Sequence, residues 1–160
     1  MKRLPVLLLL FLPIICIAQK TNFSGKWNLN LQKTDFKRAP DWLMPKSFEI
    51  TQKNDALVIE AKVYDKEGIQ HYYTETLSFN GTTKETIIYA EYKRVVSMRW
   101  NDDNKSFVLS VRLINENEDN PSSSDFTETW SLENDGKTLV VDREATQANE
   151  YSVRAYYDKK

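Results

Sequence analysis

The sequence predicts an all-β protein, an antiparallel up-and-down β-barrel of about ten strands with a short lid-like segment between the first two. Three observations point there. Apolar residues recur with a period of two along most of the chain, the pattern of half-buried strands. The links between these runs are mostly short and rich in Asn, Asp and Gly, which forces antiparallel neighbours, because a parallel pair needs a crossover of about a dozen residues or more. A meander of this length must also manage its edges, and closing into a barrel removes them. A two-sheet sandwich competes, but short turns joining long strands favour the barrel.

The 160-residue chain opens with "MKRLPVLLLLFLPIICIAQK", in which basic Lys2 and Arg3 precede an apolar run from Leu4 to Ile17 and small Ala18. That order predicts a signal peptide over residues 1–18, too short for a membrane span, and leaves one β-barrel domain over residues 19–160. The mature chain is then expected to be secreted or periplasmic, with no transmembrane segment. Cys16 is the only cysteine. "LPIIC" loosely resembles a lipid-attachment signal, but Ile15 stands where that signal wants a small residue, so cleavage after Ala18 is the expectation. The mature domain would lack disulfides, leaving packing and the sheet ladder to stabilise it.

The strands follow in order. Phe23, Gly25, Trp27, Leu29 and Leu31 alternate with polar residues. The same phase recurs in Phe48 and Ile50; in Leu57, Ile59, Ala61 and Val63; and in Ile69, Tyr73, Leu77 and Phe79. It continues through Ile87 and Tyr89; Val96, Met98 and Trp100; and Phe107, Leu109, Val111 and Leu113. Phe126, Trp130 and Leu132, then Leu139 and Val141, form the next two runs. Tyr151, Val153, Ala155 and Tyr157 form the last. Asn54-Asp55, Lys66-Glu67-Gly68, Asn101 to Asn104, Asn134-Asp135-Gly136 and Gln147-Ala148-Asn149 read as turns, and Asn80-Gly81 as a two-residue hairpin. Residues 116–124, "ENEDNPSSS", read as a polar, mobile link. Residues 32–46, "QKTDFKRAPDWLMPK", have room for one short helix limited by Pro40 and Pro45.

Two carboxylates break the pattern. Glu75 lies between Tyr73 and Leu77, and Glu128 between Phe126 and Trp130, each on the apolar face. Carrying that phase through the strands places His71, Tyr73, Glu75, Glu85, Tyr89, Met98, Trp100, Glu128, Trp130 and Arg143 inside the barrel, as candidate ligand-binding residues. A buried carboxylate must neutralise or find a partner. Arg143, His71 and the tyrosine hydroxyls are the candidate partners. A polar-lined lumen suits a small hydrophobic or amphipathic ligand. The alternative is a structural network that binds nothing, or a bulge that turns these residues outward.

Other chemistry is thinly represented. Without Lys2 and Arg3, 20 basic residues face 23 acidic ones, a formal charge of −3, which carries no nucleic-acid footprint. One histidine and no spaced His/Cys/Asp/Glu cluster exclude the common zinc sites and argue against a catalytic triad. His71 and Glu75 share a strand face, but a lone histidine among tyrosines reads as a packed, hydrogen-bonded residue. No catalytic residue, metal or cofactor is predicted, and the chain is not expected to be an enzyme. Nothing in the sequence identifies a protein partner.

"NFSGKWNLNLQKTDF", with Gly25-x-Trp27, "TETWSLENDGKTLVVDR" and the ending "YYDKK" resemble secreted bacterial lipocalin-like proteins and fatty-acid-binding-protein-like barrels. The likeness touches about a third of the chain. It implies that Gly25 and Trp27 close one end of the barrel, with Arg154 as the cation over the indole. It also implies an Arg154-x-Tyr156 pair for a ligand carboxylate, although Tyr151, Val153 and Tyr157 take the inward phase and turn Arg154 outward. Phe36, Trp42, Leu43 and Met44 take the place of a lid in such barrels.

Two functions remain in view. One is an extracytoplasmic carrier or sensor of a small hydrophobic or amphipathic molecule. The other is a barrel filled by its own side chains, acting as a protein-interaction module with no small-molecule ligand. A connected cavity favours the first and a packed lumen the second.

Overall fold

Alternation becomes strand because a pleated backbone sends successive side chains to opposite faces, and only one face is buried. The structure is a computed structural model describing residues 20–117, 119, 121–147 and 151–160. The leader expected over residues 1–18, Cys16 with it, and part of the Gln147-Ala148-Asn149 turn lie outside the described residues. The strands are β1 Gly25–Leu29, β2 Ser47–Gln52, β3 Ala56–Tyr64, β4 Gln70–Ser78, β5 Lys84–Tyr89, β6 Tyr92–Trp100, β7 Ser106–Asn115, β8 Ser122–Glu133, β9 Thr138–Ala145 and β10 Val153–Lys159. A single 3-10 turn, Asp41–Leu43, sits between β1 and β2.

All ten strands form one antiparallel sheet in the order β4-β3-β2-β1-β10-β9-β8-β7-β6-β5. The first strand pairs with the last, placing Trp27 opposite Lys159 and Leu29 opposite Tyr157. The sheet therefore curls into a nearly closed barrel. Its seam runs between β4 and β5, which lie side by side without a hydrogen-bonded ladder. Asn80-Gly81, expected to make a hairpin here, forms a local turn instead. The Asn80 side-chain oxygen accepts from the Thr82 amide at 2.9 Å and its hydroxyl at 2.6 Å. Such side-chain bonding competes with ladder pairing.

Other expectations are corrected as well. β1 stops at Leu29, so Leu31 is exposed, and Ile69 precedes β4 and is exposed too. Ser122, Ser123 and Ser124, expected in a mobile link, belong to β8 and pair with Asn115, Ile114 and Leu113. In β5 the register against β6 shifts between Ile87 and Tyr89. That bulge separates the phases on its two sides, so Glu85 and Ile87 face outward and are exposed, whereas Ile88 and Tyr89 face the lumen.

One end of the lumen is filled. Phe23 packs against Phe107 at 4.8 Å between ring centroids, Phe48 against Trp130 at 4.8 Å, and Phe107 stacks on Trp130 at 5.5 Å. Trp27 is fully buried there, and its indole N–H donates to the Phe23 carbonyl at 3.1 Å. The cation over its ring is Lys159, 5.0 Å from the centroid. Arg154, expected in that role, lies on the outer face because Val153, Ala155 and Tyr157 take the inward positions of β10. It donates to the Tyr156 hydroxyl at 2.7 Å and to Asp142 at 2.6 Å, so the Arg154-x-Tyr156 pair also faces away from the lumen. Gly25 has φ +148°, and a Cβ there would lie 2.8 Å from Lys159 Cε.

Candidate functional site

The other end of the lumen is open, and the inward positions of four strands supply its floor: Tyr73 and Glu75 from β4, Arg94 from β6, Phe126 and Glu128 from β8, and Arg143 from β9. Glu75 and Glu128 are 2% and 5% exposed. Their partner is Arg94, which the sequence reading passed over. Arg94 Nη2 donates to Glu128 Oε2 at 3.0 Å and Nη1 to Oε1 at 3.4 Å, while Nε lies 3.4 Å from Glu75 Oε2. The Trp130 indole N–H adds a donor to Glu128 at 3.2 Å. Arg143, one of the candidate partners, stands opposite Glu128 in the ladder and lays its guanidinium 3.5 Å from the Phe126 ring centre.

Burial and charge divide the two carboxyls. Burial raises the Glu75 pKa, and the nearby Glu128 charge adds to that rise against the opposing effect of Arg94. Burial also pushes Glu128 upward, but Arg94, Arg143 and the hydrogen bonds from Arg94 and Trp130 outweigh it and hold Glu128 below the ordinary value. Burial opposes the Arg94 charge, but the two carboxylates and Tyr73 keep its pKa well above the usual arginine value. Burial pushes the Tyr73 phenol far up as well. The floor thus brings two guanidiniums against two carboxyls whose pKa values are pushed in opposite directions, Glu128 down and Glu75 up.

Above this floor lies a cavity of ≈ 330 Å³. Leu43, Val63, Ile88 and Leu113 line it together with Tyr64, Tyr89, Tyr92 and Tyr151, and Lys66 is among the lining residues. The 3-10 turn crosses this end and contributes Trp42 and Leu43. Pro45 lines the cavity too, and its carbonyl accepts from the Tyr157 hydroxyl at 3.0 Å.

No family model matches the chain, and no curated protein matches it.

The predicted residues separate by their place in the barrel. Tyr73, Tyr89, Glu128 and Arg143 line the cavity, and Glu75 lies behind Arg94. Met98, Trp100 and Trp130 belong to the filled end instead, since their strands run past the floor; Trp100 packs on Phe23 and Phe79. His71 is half-buried at the seam rather than in the cavity lining. It bonds Asp65 at 2.9 Å, not Glu75, and stacks on Tyr89 at 4.4 Å and 15°. Glu85 is outside, for the bulge reason above. Of the lid residues, Met44 is 1% exposed and Phe36 packs on the core, so both are fixed. Trp42, from the same lid-like segment, is 36% exposed and lines the cavity.

Arg94 was detectable. It shares the period-two phase of Val96, Met98 and Trp100, but an arginine ending an apolar run resembles a solvent boundary. Among the described residues no three His, Cys, Asp or Glu side chains gather as a metal site, and no helix is long and apolar enough to cross a membrane. A buried charged floor beneath apolar and phenolic walls can orient a molecule with one polar end.

Proposed function

We propose that this chain is a binding barrel for a small amphipathic molecule, acting outside the cytoplasm and without catalysis of its own. The observation that carries this reading is the ≈ 330 Å³ cavity, apolar along its sides and charged at its buried floor. That volume lies at the small end of the range for ligand sites, about 300–1,000 Å³. The leader-like start of the sequence supports action outside the cytoplasm. Native mass spectrometry of protein purified from its own source tests the reading: a co-purifying small molecule released on denaturation is expected. Bare chain alone, together with no response to added amphiphiles, overturns it.

One observation favours the interaction-module alternative. Ile69 and Tyr72 on the β4 side of the seam and Ile87 on the β5 side are all exposed. Large exposed apolar residues near a strand edge suit a protein contact. The open cavity weighs more, because side chains that merely fill a lumen leave no such space.

A further inference from the structure

The lining of the cavity bears on which amphipathic molecule fits. Aromatic rings outnumber aliphatic side chains there, with Trp42, Tyr64, Tyr89, Tyr92 and Tyr151 among them. Several are already ordered against each other. His71 stacks on Tyr89 at 4.4 Å, and Tyr89 meets Tyr92 at 4.9 Å between centroids with 38° between planes. Deeper, the Phe126 ring is held by the Arg143 guanidinium at 3.5 Å. Ring walls of this kind are rigid, with few rotors to freeze on binding, and they favour offset stacking or edge contacts with another ring. A saturated chain gains only area burial from them and loses the freedom of many rotors of its own.

The floor sets the sign of the polar end. Two guanidiniums, Arg94 and Arg143, line the cavity against the single carboxylate of Glu128, while Glu75 lies behind Arg94 and off the wall. Lys66 adds a third cation among the lining residues. Among the described lining residues three cations therefore stand beside one carboxylate, and guanidinium geometry matches a carboxylate or another planar oxyanion.

We infer that the ligand is a planar, ring-containing organic anion, such as an aromatic or fused-ring carboxylate, and not a saturated acyl chain. This rests on the binding-barrel reading above. The anionic group lies at the Arg94 and Arg143 floor, and the ring system lies between the phenols and indole. The small volume agrees, because a fused bicycle holds its carbon skeleton in less length than a linear chain of the same carbon count.

Calorimetric titration with three probes tests this: 2-naphthoate, decanoate and uncharged 2-naphthalenemethanol. The first two share their charge and nearly their carbon number but differ in shape. 2-Naphthoate is expected to bind about five- to tenfold more tightly than decanoate, the scale of one good ring contact. It should also bind more tightly than the uncharged naphthalene. In Tyr92→Leu, with its fold verified by circular dichroism, the preference for naphthoate over decanoate should shrink. Equal binding of the two acids, or tighter binding of decanoate, overturns the aromatic inference and leaves the binding barrel intact. Tightest binding by the uncharged naphthalene overturns the anionic part. No heat from any probe at millimolar concentration overturns the binding-barrel reading itself, and this inference with it.

Discussion

Arg94 holds Glu128 through both terminal guanidinium nitrogens, at 3.0 and 3.4 Å, inside a barrel whose sheet does not join their strands directly. The same side chain reaches Glu75 on β4, so one cation links β4, β6 and β8 through the lumen. Removing that cation strands two buried carboxyls. Arg94→Met should therefore destabilise by about 3–5 kcal/mol in urea denaturation. Replacing all three charged residues with apolar ones of similar size should recover much of this loss. A loss under about 0.5 kcal/mol in the single variant would show a solvated, unimportant triad.

The two carboxyls give opposite pH dependence. Glu128, held below the ordinary glutamate value of 4.5, contributes stability present above that value and lost as pH falls through its folded pKa. Glu75, raised above 4.5, contributes stability that is full below that value and declines as pH rises through its folded pKa. Glu75→Gln should remove the decline on the neutral side and leave the acid limb in place. Urea midpoints measured from acid to neutral pH check this, and profiles that run parallel throughout would count against it.

Met44 and Trp42 are two residues apart but have different surroundings. Met44 is 1% exposed, so Met44→Ala should cost about 2–5 kcal/mol through the cavity it leaves. Trp42, lining the cavity, should shift stability by only about 0.5 kcal/mol on truncation to alanine, while weakening ligand binding. Denaturation paired with titration of an added amphiphile separates the two roles. Trp42→Phe is the control for a tryptophan fluorescence change on binding.

Gly25→Ala should destabilise by about 1–3 kcal/mol, because φ +148° disfavours a side chain and the new Cβ would crowd Lys159 Cε. Trimming the neighbour in a Gly25→Ala, Lys159→Ser double variant should relieve the crowding but not the backbone strain. Thermal melts of the three proteins distinguish these contributions.

If the leader-like start is cleaved as Ala18 predicts, the intact mass of protein purified from its own source should correspond to a chain beginning at Gln19. A diacylglyceryl-modified Cys16 at the N-terminus would instead establish a lipoprotein.

Legibility in the sequence followed how local each constraint is. Glu75 and Glu128 were readable as inward because each sits between apolar residues at steps of two, and that local geometry governs the strand. Glu85 was misplaced because a bulge between Ile87 and Tyr89 changes phase without altering composition. Arg154 was rightly suspected of facing outward from Val153 and Tyr157, but the Lys159 contact with Trp27 depends on the register of the first strand against the last. Arg94 was missed because its value depends on carboxyls on two distant strands. The seam was hidden for the same reason: Asn80-Gly81 signals a tight turn and says nothing about whether the strands beyond it pair.

A tube slit along one line behaves mechanically as a split ring. Every other junction in this barrel is a backbone ladder, and widening it breaks several hydrogen bonds together. Along β4 and β5 the contacts are side-chain ones, including the His71 and Tyr89 rings and the inward reach of Arg94 to Glu75. Spreading the wall there would part side-chain contacts and leave every ladder intact, which makes this line the weakest junction around the cylinder.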